Sequence, residues 1–280
     1  MKKKSPLTTL ASIILIVGLS ACDGEDAAQV PVSSAVWQPN ALDTFHLQLH
    51  GALITNVEAS VYDIDLFDNT AAQIAQLKQQ GRKVVCYFSA GSSEKWRPDF
   101  KNFLPADKGN ALTGWAGENW LDTRSNNVRN IMRARMDMAV SKGCDGVDPD
   151  NVDGYTFTNT NPSSGLTLTA QDQLDYNLFL SSQAHSRGLA IGLKNDVAQL
   201  SQLASSFDFA INEQCHQFSE CGLYQAFTST GKPVLNVEYK RIYVNDPAAF
   251  TALCDSARKK KLQTQVLPLL LDGTYRFSCN

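Results

Sequence analysis

Asp145-Gly146-Val147-Asp148-Pro149-Asp150-Asn151-Val152-Asp153-Gly154 is the stretch from which the fold is read. Gly146–Asp150 has the length of a short buried strand. A 3.6-residue pattern over Val128–Ser141, with Ile131, Met132, Arg135, Met138 and Ala139, precedes it and stops at Gly143. A second such pattern, Ala170–Ser186 with Leu174, Leu178 and Ala184, follows it and stops at Gly188. The strand therefore sits between two helices, as in a parallel sheet.

The same alternation runs outward in both directions. Further strands are expected at Phe45–Leu49, Val61–Asp65, Lys83–Ala90, Leu189–Lys194, Phe207–Glu213, Pro233–Tyr239 and Thr264–Leu271. Helices are expected over Ala71–Gln80, ending at Gly81, and from Asp246-Pro247 onward, with Phe250, Leu253 and Ala257 on one face. Eight strands within about 240 residues predict a (β/α)8 TIM barrel. The Gly-rich phosphate turns of open doubly wound sheets are absent from the sequence. The longest connection, Gly91 to Trp120, carries Trp96, Trp115 and Trp120 and reads as a lid.

Of the 280 residues 43% are hydrophobic and 19% charged, which is a globular composition. The net charge of −3 excludes the basic footprint of a nucleic-acid binder. Lys2, Lys3 and Lys4 precede an apolar run, Leu10–Leu19, that is short for a membrane span. The run ends in Leu19-Ser20-Ala21-Cys22, the lipobox pattern of bacterial lipoproteins. Residues 1–21 are thus expected to be a signal peptide and Cys22 the lipidated end. Residues 22–40 read as a tether and 41–280 as the barrel. Cleavage leaves 22 basic against 28 acidic residues, a net −6. The expectation is an exported monomer anchored through its lipid to a bacterial cell envelope.

Six cysteines remain, enough for three disulfides among fifteen pairings. Cys215–Cys221 would staple one loop, Cys254–Cys279 would tie the last helix to the tail, and Cys86–Cys144 would join two strands. No metal or other cofactor is expected. The four His form no cluster, and residues 148–159 fail as a calcium loop, with Val152 and Asn159 at ligand positions.

Acids gather where strands end: Asp63 and Asp65, Asp148 and Asp150, Glu213, and Glu238. In a barrel that end carries the active site. Asp148 shares a strand face with Asp150, and Asp63 with Asp65. Paired carboxylates beside aromatic faces suit glycoside hydrolysis.

These blocks resemble glycoside hydrolase family 114. The resemblance rests on Tyr62-Asp63-Ile64-Asp65-Leu66-Phe67-Asp68; on Cys86-Tyr87-Phe88-Ser89-Ala90-Gly91-Ser92 with Glu94, Trp96, Arg97, Pro98 and Asp99; on Trp120-Leu121-Asp122; and on Gly143 to Tyr155. It continues in Gly192-Leu193-Lys194-Asn195-Asp196, Asn212-Glu213-Gln214-Cys215 and Glu238-Tyr239. It implies a (β/α)8 barrel that cuts polymers of α-1,4-linked galactosamine, with Asp150 as nucleophile, Glu213 as general acid/base and Asp148 as second candidate for nucleophile. Phe45 to Gly51 is poorer in Trp than the family's first strand.

An acidic cleft with Asp63, Asp65, Asp148, Asp150 and Glu238 would attract a cationic aminosugar polysaccharide. Like-charge repulsion among these acids is expected to keep Glu213 a proton donor. Lys194 is the candidate counter-charge for Asp150 or Asp148. Tyr87, Trp120, Asn151, Asn195 and Tyr239 are candidate sugar contacts. The competing readings are an exo-acting, α-galactosidase-like hydrolase and a non-catalytic polysaccharide-binding lipoprotein.

The lipobox makes one test immediate. Cys22→Ser is expected to leave precursor unprocessed and to move the protein out of the membrane fraction on cell fractionation. Unchanged processing and membrane association would contradict it.

Overall fold

The structure, a computed structural model, describes residues 36–279. Cys22, the signal segment and most of the tether lie outside these residues. Eight parallel strands form the central sheet: β1 (Phe45–Gln48), β2 (Val61–Asp65), β3 (Lys83–Ser89), β4 (Gly146–Asp150), β5 (Ala190–Lys194), β6 (Phe209–Glu213), β7 (Val234–Glu238) and β8 (Gln263–Val266). Each pairs in parallel with the next, which is the order of a (β/α)8 barrel.

The seam between β8 and β1 departs from the regular pattern. No backbone ladder joins them among the described residues. Phe277–Ser278 instead adds an antiparallel strand to β8. Scattered side-chain and backbone hydrogen bonds close the gap. Gln265 Nε2 and Arg276 Nη2 both donate to the Phe45 carbonyl, and the amides of Leu49 and His50 donate to the Leu271 carbonyl.

Alternation along each strand separates two cores. Phe45, Leu47, Val61, Val85, Ala190, Phe209, Ile211, Leu235 and Val237 fill the barrel. Tyr62, Ile64, Val84, Cys86, Val147, Ile191, Leu193 and Val234 face the helices. Gly192 is required at its place, because a Cβ there would sit 2.5 Å from the Phe209 ring. Val36 and Trp37, assigned above to the tether, pack on the inner core, with the Trp37 ring 6.5 Å from Phe209. The barrel's packing therefore begins before residue 41.

Among the described residues four long helices cover the sheet: Ala71–Gln79, Asn126–Lys142, Ala170–His185 and Pro247–Lys259. Side chains of Thr70, Ser125, Thr169 and Asp246 cap them. None of the described helices is long and apolar enough to cross a membrane. Only four-residue helices, Leu200–Leu203 between β5 and β6 and Cys215–Phe218 and Gln225–Thr228 between β6 and β7, fill those connections beside single 3-10 turns, so the helical layer is thinner there than strict alternation predicts.

Helix Ala170–His185 buries Ala184 and packs Leu174 on the core as expected, but its buried face is rotated. Leu178 is exposed, and Gln173, Asn177 and Ser181 are buried. Hydrogen bonds explain the exchange. Asn177 Nδ2 donates to the Val152 carbonyl and to Asp196, and Ser181 donates to the Ser206 carbonyl.

Three disulfides are formed: Cys86–Cys144, Cys215–Cys221 and Cys254–Cys279. Cys86–Cys144 closes 58 residues, so in the chain-entropy picture it contributes about 4 kcal/mol. Replacing both cysteines by Ala is expected to lower the denaturant midpoint by an amount corresponding to roughly that energy. An unchanged midpoint would show that the bond carries no stability.

Candidate active site

The C-terminal ends of β4, β5 and β6 bring three side chains together. Lys194 Nζ lies 3.3 Å from Asp150 Oδ1 and 3.7 Å from Glu213 Oε2. Each of β4, β5 and β6 is followed by a residue in the left-handed region: Asn151 (φ 60°), Asn195 (φ 49°) and Gln214 (φ 66°). Asn tolerates this conformation, whereas Gln214 is strained by about 1–3 kcal/mol. The turns release the chain sideways and leave the terminal carboxylates facing the mouth.

The two carboxylates are held alike. Asp150 accepts from the Tyr87 hydroxyl at 2.8 Å and from the Asn151 amide at 2.8 Å. Glu213 accepts from the Tyr239 hydroxyl and, at 3.2 Å, from Asn195 Nδ2. Burial, then the neighbouring acids, pushes both phenols well above their usual range, so both remain donors. Burial pulls Lys194 down, but Asp150, Glu213, Asp148 and Asp63 outweigh it and hold the ammonium well above its ordinary value. The side chains of Asp150 and Glu213 are 17% and 28% exposed against 2% for Lys194. A substrate therefore meets two carboxylates over a covered cation.

These groups floor a cleft of about 440 Å³. Its walls come from the connection after β3, which folds into a three-stranded antiparallel sheet of Ser92–Glu94, Lys108–Ala111 and Glu118–Leu121. Trp96 and Trp115 from this lid are 49% and 41% exposed and line the cleft. Trp120 is buried and stacks on Phe157 at 4.7 Å, so it presents the wall through Phe157 more than by itself. Leu269 and Leu270, after β8, line it as well.

Several expected site residues are placed elsewhere. Asp63 and Asp148 are fully buried and do not line the cleft; both lie beneath its floor. Burial pushes Asp63 well above the carboxylate range and Asp148 up to about 7. Glu238 is also buried; it shares the outer face of β7 with Asn236 and accepts from the His216 amide and from Asn236. It braces the turn after Glu213 rather than facing the cleft. Asp65 reaches the cleft wall, but both its oxygens are taken by Arg97. Glu213 is contacted by two donors and Lys194, with Asp150 and Asp148 on the same ammonium, whereas Asp65 and Glu238 are engaged elsewhere. Asn151 points its amide at Ser89 and fixes the turn.

The structure adds groups that the sequence reading passed over. Glu94 and Glu118 are register partners in the lid sheet and line the cleft. Burial pushes Glu118 up to about 7, and Ser92 Oγ donates to it. Asp153 also lines the cleft, raised to about 7 by burial and then by Asp150. The spacing Asp148-x-Asp150-x-x-Asp153 was the available signal for it. Cys215, His216 and Cys221 bring ligand-type atoms within 4.8 Å of one another, but the two sulfurs are joined.

Arg97 anchors the lid. It contacts Asp65 through both terminal nitrogens and Glu94 through Nε at 3.0 Å, while Arg135 pairs with Asp99 and donates to the Ser89 carbonyl.

The model of the family described as glycoside-hydrolase family GH114 matches residues 26–280. The crystal structure of Aspergillus fumigatus Ega3 in complex with galactosamine is 40% identical, over 89% of this chain and 100% of that one, with a TM-score of 0.80. The glycoside hydrolase domain of PelA from Pseudomonas aeruginosa is 15% identical over 82% of this chain and 96% of its own, with a TM-score of 0.64, a likeness of fold. A Deinococcus radiodurans protein is 24% identical over 89% of this chain and 92% of its own.

Removing the lid anchor tests the network. Arg97→Met leaves Asp65 buried without its ion-pair partner and Glu94 with only the longer contact to Arg135, and is expected to cost about 3–5 kcal/mol. A loss below about 1 kcal/mol in urea unfolding would mean the ion cluster is immaterial to the fold.

Proposed function

The chain belongs to glycoside-hydrolase family GH114, and from that premise we propose that it is an endo-acting enzyme cutting polymers of α-1,4-linked galactosamine, with Asp150 as nucleophile and Glu213 as general acid/base. One observation carries the assignment. Asp150 and Glu213 are two exposed-edge carboxylates that share one buried ammonium at the floor of a cleft. The sum of their distances to Lys194 Nζ, 7.0 Å, is the most that can separate those two oxygens. That ceiling accommodates the roughly 5–5.5 Å separation of retaining enzymes, which supports the retaining reading.

The chemistry follows in two steps. Asp150 attacks the anomeric carbon while Glu213 gives its proton to the departing glycosidic oxygen. The bond to that oxygen breaks and a glycosyl ester with Asp150 forms. Glu213, now ionised, takes a proton from water, whose oxygen attacks the same carbon and releases Asp150. Tyr87 and Tyr239 hold the two carboxylates in line.

The galactosamine bound to Ega3 supports an aminosugar substrate. Glu118 and Asp153 supply acid groups toward an ammonium-bearing sugar, and Trp96 and Trp115 supply flat apolar faces. Walls drawn from the lid and from the loops after β4 and β8 suit a chain passing through, hence internal cleavage. We propose further that the exported chain carries lipid at Cys22 and works at a bacterial cell envelope.

Asp150→Asn and Glu213→Gln are each expected to lower cleavage of galactosamine oligomers by roughly a thousandfold. Glu213→Gln is expected to recover only the first step on a glycosyl fluoride, a burst of fluoride without turnover, because departure of fluoride needs no proton while the second step still lacks its base. Wild-type digestion is expected to yield oligomers first. Monomer from chain ends would favour the exo reading, and absence of any cleavage by wild type would favour a binding protein.

A further inference from the structure

Beneath the two exposed carboxylates lies a pair that the proposed chemistry does not use. Asp63 and Asp148 are fully buried, and none of their four carboxylate oxygens has a hydrogen-bond partner. Native proteins keep few buried polar groups in this state, because each forfeits its hydration without a partner in exchange. The titratable groups facing Asp148 are Asp63 from β2, Tyr87 from the paired position of β3, Asp150 on its own strand, Lys194 from β5 and Glu213 from β6. Lys194 is the cation in this set. Its Nζ stands 3.9 Å from Asp148, 3.3 Å from Asp150 and 3.7 Å from Glu213.

During a retaining cycle one negative charge changes place. It starts on Asp150, and once the sugar is esterified there it resides on Glu213. Lys194 touches both locations, so it balances the charge in either one without moving. A third claimant on that ammonium would upset the balance, and Asp148 is within reach to be one.

We propose that Lys194 is a positioning residue acting as common counter-ion to this migrating charge, and that Asp148 controls it. A neutral Asp148 leaves the ammonium to the catalytic pair. An ionised Asp148 draws it toward the floor and withdraws it from both. This rests on the assignment of Asp150 and Glu213 above. Burial, opposed by Lys194 and assisted by Asp150 and Glu213, raises Asp148 to about 7. A group raised in this way keeps its proton below that pH and loses it above. Turnover therefore falls as pH rises through about 7.

The test compares wild type with Asp148→Asn on an α-galactosaminyl fluoride oligomer. With fluoride as leaving group Glu213 is needed only as a base, so its own ionisation cannot cause an alkaline loss. The ratio of kcat at about pH 8.5 to kcat at about pH 6 is expected to rise roughly tenfold in the variant. Asp148→Ser, a second neutral replacement, guards against a folding defect in the first and is expected to give the same ratio. An alkaline limb unchanged in both variants would overturn the proposal and assign the limb to the sugar's own amine or to another group. No turnover of oligomers by wild type at any pH would instead remove the enzymatic reading on which it stands.

Discussion

A buried ammonium costs several kcal/mol unless acids neutralise it, and the side chain of Lys194 is 2% exposed. That constraint organises the mouth of the barrel. Acids arrive from the ends of β4 and β6 on either side of it, and from the layer below. Each strand must present its terminal residue inward in the right register, because a slip of one residue would turn every side chain to the opposite face. The left-handed residues that follow β4, β5 and β6 end each strand at that place. Tyr87 and Tyr239 then fix the carboxylates from their far sides. Geometry and charge are therefore set by the same few residues.

A second ionic cluster holds the lid over this floor. Arg97 reaches from the lid to Asp65 at the end of β2, and Arg135 reaches from helix Asn126–Lys142 to the end of β3. Gly91, at the start of the lid, packs so closely on the turn after β4 that a Cβ would sit 1.7 Å from the Asn151 carbonyl oxygen. Wall and floor thus meet backbone to backbone. Trp96 and Trp115 are exposed on a wall that is itself tied to the strands, as a rigid sugar-binding face requires.

Much of this was legible in the sequence. Strand ends rich in acid marked Asp150 and Glu213, and period-two alternation put Asp148 on the face of Asp150. Depth was not legible. Alternation tells which face a residue takes, not how far below the mouth it sits, so Asp63 and Asp148 read as cleft acids although they lie under the floor. Glu238 had the opposite problem. Its strand partners Leu235 and Val237 fill the barrel, and counting parity from them would have sent it outward. The buried polar face of helix Ala170–His185 was hidden because its stabilising partners, Val152, Asp196 and Ser206, are distant in the chain. Glu94 and Glu118 become neighbours only when the lid folds into a sheet. The seam at β8 and β1 depends on Gln265 and Arg276, side chains that no periodicity singles out.

The central claim is that Asp150 forms the covalent bond to the sugar while Glu213 manages the proton. It is tested most directly by trapping the ester. Glu213→Gln treated with an α-galactosaminyl fluoride has a good leaving group but no base to activate water, so the glycosyl-enzyme should accumulate. Intact-mass measurement followed by peptide mapping is predicted to show one added glycosyl unit, on the peptide containing Asp150 and absent when Asp150 is replaced by Asn. A sugar found on any other carboxylate, or fluoride released with no adduct and inverted product, would contradict the account.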